Sequence, residues 1–212
     1  MKAVVIGATG ATGKDLIEVL VKEASVSEIV VLVRRKVEFK HPKIKSYVIN
    51  FNQPDEWKDL VVGDVAFSCL GTTLKDAGSK DAQWKIDYDY QYWFAQKAKE
   101  NNVKTFVLVS SGFSNANSSF FYMKMKGQLE DEVVKLGFER TIIFNPPLLI
   151  RKNTDRAGEN MSVKVINFFN SIGIAKSIKP LSTEDLAKSI LKSLKQFPNG
   201  VYYVRGQEIL KL

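Results

Sequence analysis

Apolar and polar positions along the 212-residue chain alternate between two textures. Short, mostly apolar runs at 3–6, 29–33, 64–70, 103–109 and 141–144 predict buried strands, and 46–51 predicts a shorter one. Between them apolar residues recur at helical spacing. Leu16, Ile17, Val19 and Leu20 mark one helix, and Pro54 opens a brief one. Trp84, Ile86, Tyr90, Trp93, Phe94 and Ala98 mark a long helix over 81–101, and a further helix covers about 120–136. The segment 75–80 is polar and predicts a loop. Strands that alternate with helices predict an α/β fold, a doubly wound parallel sheet in three layers with helices on both faces.

The C-terminal quarter is less regular. A helical pattern at 161–172 suggests a lid or substrate wall. Ser182-Thr183-Glu184-Asp185 carries a helix start, with the helix running to about Leu194. Asn199-Gly200 is a turn before a last strand at 201–204. No repeat or linker interrupts the chain. The expectation is one domain, 1–212, with substrate-side segments at about 146–180.

Composition narrows the picture only in part. One cysteine, Cys69, excludes an internal disulfide framework, suits a reducing compartment and reads as a buried thiol. One histidine, His41, excludes a histidine-rich metal site and sits in a polar loop, so no metal is expected. The net charge of +8 is spread along many faces, which favours solubility and anionic ligands without a nucleic-acid motif. The opening apolar run is too short for a signal peptide and no run is long enough to span a membrane. These features set the expectation of a cytoplasmic protein bound to neither membrane nor nucleic acid.

The first strand runs into Gly7-Ala8-Thr9-Gly10-Ala11-Thr12-Gly13 and then a helix. Strand, glycine turn and helix make the opening of a dinucleotide-binding βαβ unit. Gly7 would turn the chain sharply, Gly10 would admit the pyrophosphate against backbone, and Gly13 would let helix and sheet pack closely. Thr9, Ala11 and Thr12 complete the loop, whose helix N-terminus points free N–H groups at the phosphates. A P-loop is excluded, because Ala8 and Asp15 stand where it needs Gly and Ser or Thr. The second strand ends in Arg34-Arg35, where an acidic residue would select NAD. Two arginines favour a 2′-phosphate and hence NADP(H). Asn50 and Phe51 fall where adenine would lie, and Leu70-Gly71-Thr72 ends the fourth strand against the cofactor.

Tyr122 and Lys126, four apart, share a helix face. Ser110 and Ser111 end the fifth strand, the edge where open α/β sheets bind ligands. A tyrosine can work as a general acid or base when a neighbouring ammonium lowers its phenol toward working pH. A serine hydroxyl would hold a substrate carbonyl oxygen.

The chain resembles the short-chain dehydrogenase/reductase superfamily over nearly its whole length. It is similar to the atypical branch and, more closely, to the Tat-interacting-protein-like oxidoreductases. The resembling stretches are Gly7–Gly13, Ser68–Thr73, Ile86–Tyr90, Val109–Ser111, Tyr122–Gly127 and Pro180–Ala187. The resemblance implies a triad in which Tyr122 exchanges a proton with substrate, and Lys126 binds the nicotinamide ribose and lowers the tyrosine. Ser111 orients the substrate, with Ser110 as the alternative. It also implies that Pro146, Pro147 and Leu148 set backbone against the nicotinamide. Two positions depart from the family pattern. Asp87 stands where many relatives have an asparagine in the proton relay, and Asn145-Pro146-Pro147 replaces Arg-Pro-Gly. The leading expectation is an NADP(H)-dependent oxidoreductase acting on a small carbonyl or alcohol substrate. The alternative is an NADPH-binding regulatory or scaffold protein without significant turnover, which would bring in a protein partner.

Overall fold

A computed structural model describes residues 1–150 and 180–212. Its main sheet has seven parallel strands. These are β1 Lys2–Ile6, β2 Glu28–Val33, β3 Ile44–Val48, β4 Val65–Ser68, β5 Thr105–Val109, β6 Arg140–Asn145 and β9 Gly200–Arg205. Their order across the sheet is β3-β2-β1-β4-β5-β6-β9. A second, two-stranded sheet pairs β7 Leu149–Ile150 with β8 Leu181–Ser182. The fold is a doubly wound, Rossmann-like α/β sheet. Strand order reverses between β1 and β4, so a crevice opens beyond their carboxyl ends.

The central strands are buried on both faces, which is why they read as continuous apolar runs. Alternate residues feed two cores. Val5, Val31, Phe67, Val107 and Phe144 pack under α1 Ala11–Lys22 and α7 Thr183–Gln196. Val4, Ile6, Phe106, Leu108 and Ile143 pack on the other face with Phe94 of α5 Tyr90–Glu100 and Leu129 of α6 Phe121–Lys135. Pro54 opens the brief α2 Pro54–Trp57, whose Trp57 is buried in the same core. Ser182 accepts a hydrogen bond from the Asp185 N–H and caps α7 as expected. No helix among the described residues is long and apolar enough to cross a membrane.

Three local expectations need correction. The long helix over 81–101 is two helices, α4 Lys80–Trp84 and α5, joined by one π-helical stretch, Lys85–Asp89. A π turn carries an extra residue and re-aims the side chains beyond it. Here Asp87 is fully buried, while Trp84, Ile86, Tyr88, Tyr92 and Trp93 are only partly so. The polar segment 75–80 contains most of a short helix, α3 Leu74–Ala77, because the Thr73 hydroxyl caps it by accepting from the Asp76 N–H. The third strand starts and ends earlier than 46–51. Asn50 and Phe51 lie in the turn beyond it, where the Asn50 carboxamide accepts from the Asn52 N–H. The helical pattern at 161–172, and most of the 146–180 stretch, lie outside the described residues.

Candidate functional site

The crevice at the switch point is lined by Gly7, Ala8, Thr9 and Gly10 from the β1–α1 turn, and by Leu32, Val33 and Arg34 from the end of β2. Phe51, the turn Cys69–Thr72, Ile86 and Tyr90 complete it. Glycine is required at two of these places by backbone geometry. Gly7 has φ +79°, and a Cβ there would lie 2.3 Å from the Cys69 carbonyl carbon. A Cβ on Gly13 would lie 2.1 Å from the Gly7 carbonyl oxygen, so α1 can meet the turn only without a side chain. Gly10 differs. Its Cβ would find only the Gly7 oxygen, at 3.2 Å, and the Cys69 oxygen within 4 Å, leaving a cradle open toward the crevice.

Helix α1 begins at Ala11 with no side chain capping it and no acidic residue in its first turn. Its leading N–H groups are free for an anion, and the helix dipole favours one there. These features fit the diphosphate of a dinucleotide. At the other end, Phe51 stacks on Tyr90 with ring centroids 5.1 Å apart, and the Tyr90 hydroxyl donates to the Asn52 Oδ1 at 3.0 Å. That rigid aromatic pair is a wall against which a base can lie. Tyr90 reads in sequence as one more core aromatic. Only the Phe51–Tyr90 packing, made across 39 residues, brings it to the groove.

The expected cofactor residues therefore divide. Gly7, Thr9, Gly10, Arg34, Phe51, Leu70, Gly71 and Thr72 line the groove. Ala11 and Thr12 offer first-turn backbone and Gly13 offers packing. Arg35 is exposed outside the lining, so Arg34 is the cation at the strand end. Asn50 is also outside, held in its turn by Gln53, by the Asn52 N–H and by the Trp57 indole N–H, which donates to its carbonyl at 2.9 Å. The Pro146 carbonyl accepts from the Gly112 N–H at 2.8 Å and the Leu148 carbonyl from the Leu181 N–H at 2.9 Å. Both carbonyls are thus engaged by the protein. Cys69 is half-buried where a fully buried thiol was expected, and it lines the groove, with burial pushing its thiol up to about 12.

The second cluster sits where β5 ends against α6. Ser111 at the strand end acts on the Tyr122 phenol, and Lys126 lies one helical turn on. Ser110 is engaged elsewhere. Its hydroxyl donates to the buried Glu130 carboxylate, which also accepts from the Asn145 carboxamide at 2.7 Å. Asn145 donates in addition to the Ser111 carbonyl and the Ser114 hydroxyl, both at 3.0 Å. The departure from Arg-Pro-Gly thus puts a neutral donor, rather than a guanidinium, beside a buried acid.

Lys126 is 2 % exposed and its Nζ lies 3.3 Å from Asp87 Oδ1. Asp87 also accepts from the Thr72 N–H, at 3.2 and 3.3 Å to its two oxygens. Gln83 donates to the Thr72 carbonyl at 3.3 Å, and Gln91 donates to the Asp87 carbonyl while accepting from the Ser68 hydroxyl, both at 2.8 Å. The groove turn and the lysine are therefore joined through one carboxylate. Burial alone would push the Lys126 ammonium down. Asp87, with lesser help from Tyr122 and Glu130, outweighs it and holds the ammonium above the usual lysine range. Burial pushes the Tyr122 phenol up, Lys126 pulls it down, and Asp87 pushes it up again, leaving it raised. The lowered phenol expected from a neighbouring ammonium is not found, because burial outweighs that ammonium and Asp87 offsets part of it.

The NAD(P)H-binding family matches residues 7–196. The chain belongs to that family. A protein of Candida albicans named "FMP52, mitochondrial" is 34 % identical over 100 % of this chain and 98 % of its own length. The rat protein HTATIP2 is 35 % identical over 79 % of this chain and 70 % of its own. The chain is accordingly an atypical short-chain dehydrogenase/reductase of the Tat-interacting-protein-like group. The Bordetella bronchiseptica enzyme WbmH, solved in complex with NAD+, superposes with a TM-score of 0.69 at 16 % identity, over 96 % of this chain and 75 % of that one. That likeness concerns the fold. Together the fold and family mark a nicotinamide-cofactor protein of oxidoreductase type. The expected cytoplasmic location is overturned, because full-length relatives at 34 % and 36 % identity are named mitochondrial proteins. A lone cysteine and an absent apolar span report redox state and core packing, and neither reads an address.

Proposed function

We propose that the protein is an NADP(H)-dependent oxidoreductase that interconverts a small carbonyl compound and its alcohol. What supports this most directly is the meeting of Ser111, Tyr122 and Lys126 at the strand ends, beside a groove whose far wall carries Arg34 and no acid. In this reading Gly10 and the first turn of α1 take the diphosphate, Phe51 and Tyr90 flank the adenine, and Arg34 meets the 2′-phosphate. When bound, the nicotinamide supplies or accepts the hydride. Ser111 holds the substrate oxygen by donating to it, Tyr122 exchanges the proton at that oxygen, and Lys126 stabilises the phenolate. Pro146 and Leu148 carry the chain past the nicotinamide end. One domain, 1–212, would hold both functions, with 146–180 on the substrate side.

A second reading has its own support. Lys126 is tied to Asp87, as suits a protein that binds NADPH as a signal to a protein partner. Calorimetric titration with NADPH and NADH, followed by a panel of aldehydes and ketones, separates the two. Turnover that disappears in Tyr122→Phe, with NADPH affinity kept within about threefold, is the expected result. Tight NADPH binding with no turnover across the panel favours the regulator. Relatives named as mitochondrial proteins support a mitochondrial location for this chain, to be checked by fractionation of cells expressing it.

A further inference from the structure

The Asp87–Lys126 pair is more than a packing detail. We infer that Asp87 is a positioning residue whose carboxylate holds Lys126 and takes up part of its charge, so that residue 87 helps to set how readily Tyr122 gives up its proton. This rests on the oxidoreductase reading above and adds a positioning residue to it.

The argument begins with geometry. Lys126 and Asp87 are 2 % and 0 % exposed, and their charged atoms are 3.3 Å apart. An ammonium so placed shares its field with the carboxylate, which reduces what reaches the phenol one turn away, although Lys126 remains the larger of the two charges acting on Tyr122. An asparagine at position 87 could accept from the same Thr72 N–H and lysine ammonium, but would carry no charge. Position 87 therefore separates two functions that overlap in a neutral residue, namely holding Lys126 in place and leaving its charge free. The π turn aims this side chain inward, and the Thr72 contact ties it to the cofactor groove.

The groups that face Tyr122 among the described residues are few. They are Lys126 on its own helix, Asp87 on the π turn and Ser111 at the end of β5. Glu130 acts on Lys126 from the next turn and deepens the neutralisation. With the phenol protonated through the physiological range, the forward step balances. A bound reduced nicotinamide would supply the hydride for the carbonyl carbon, and as the carbonyl π pair moves to oxygen the Tyr122 Oη proton joins that oxygen. The resulting phenolate recovers a proton from solvent, so aldehyde or ketone, reduced dinucleotide and one proton give alcohol and oxidised dinucleotide.

The test is a titration of the cofactor-free protein carrying 13Cζ-labelled tyrosine, with the Tyr122 resonance assigned by its loss in Tyr122→Phe. Asp87→Asn is expected to lower the Tyr122 midpoint by more than one pH unit, and Asp87→Glu to return it toward wild type. An unchanged or higher midpoint in Asp87→Asn overturns the inference. Asp87→Asn leaves Lys126 buried and unpaired, which can prevent folding. The double variant Asp87→Asn/Lys126→Met removes both charges together and covers that case. It should titrate within one unit of wild type, and a larger rise means that Lys126 acts unopposed and overturns the inference. In turnover, the basic limb of kcat/KM for reduction should move to lower pH in Asp87→Asn by the shift seen in the titration. Should no carbonyl be turned over by wild type, the oxidoreductase reading falls, while the titration still decides what Asp87 does to Tyr122.

Discussion

Gly10 and Gly13 stand three residues apart in one turn, and the structure assigns them opposite duties. The contrast is measurable with two alanine substitutions. In Gly13→Ala the new methyl would meet three backbone atoms, the Gly7 oxygen at 2.1 Å, the Gly7 carbon at 2.7 Å and the Ala8 Cα at 2.8 Å. No flexible side chain can yield. Gly7 cannot retreat, since it already lies against the Cys69–Leu70 backbone at a positive φ. The remaining response is to lift α1, which carries the fully buried Leu16 and Leu20, off the sheet. Overpacking of this kind costs about 3 kcal/mol, the upper end of the usual range, because the obstacle is backbone. For a chain of this size that lowers Tm by roughly 6–12 °C. In Gly10→Ala the φ of −75° and ψ of 179° suit any residue, and only the Gly7 oxygen need move, by a few tenths of an ångström. The stability change should stay within about 1 kcal/mol, since loss of N-cap preference opposes the gain from a less flexible unfolded chain. The methyl instead enters the groove beside the helix N-terminus, and NADPH affinity should drop by at least about tenfold, or 1.4 kcal/mol. Calorimetric melting and isothermal titration on both variants read the two quantities separately. A Gly13→Ala melting point within about 2 °C of wild type, or a Gly10→Ala loss of stability larger than that of Gly13→Ala, would refute the reasoning.

The strand-end arginines and the buried Glu130 are open to equally direct tests. Arg34→Ala should weaken NADPH by about tenfold, an exposed charge-assisted contact, while NADH changes little; equal losses for both would remove Arg34 from 2′-phosphate recognition. Arg35→Ala, outside the groove, should have the smaller effect on NADPH. Burial holds the Glu130 carboxyl above its ordinary range, against the hydrogen bonds from Ser110, Ser114 and Asn145 that lower it. Its native state therefore binds the proton more tightly than the unfolded chain, and its contribution to stability falls as pH rises from the usual carboxylate range through the raised native value. Glu130→Gln should flatten that part of the stability–pH curve and be the more stable protein above it. Chemical denaturation at a series of pH values checks this, and parallel curves for the two proteins would exclude Glu130 as the source.

Much of this architecture was fixed by local pattern. The strands are buried on both faces and so appear as apolar runs, and β1, the glycine turn and α1 are contiguous. Their spacing alone indicated a dinucleotide groove, because each glycine's duty is met within a dozen residues. Tyr122 and Lys126 were legible for the same reason, being one turn apart on one helix. Other features depended on distant segments meeting. Sequence presented Ser110 and Ser111 as near equals, and only the packing of α6 on β5 engages Ser110 with Glu130 and leaves Ser111 facing Tyr122. Tyr90 joined the groove through stacking on Phe51, and Asn50 left it through hydrogen bonds within its own turn. Asp87 could be seen as a departure from a family pattern. That it is buried, ion-paired to a lysine 39 positions away and bonded to the cofactor-side turn came from the π-helical stretch. Periodicity reads such a stretch poorly, since one added residue keeps the 3.6-residue period on either side and shifts only its phase, which changes the side chains that point inward.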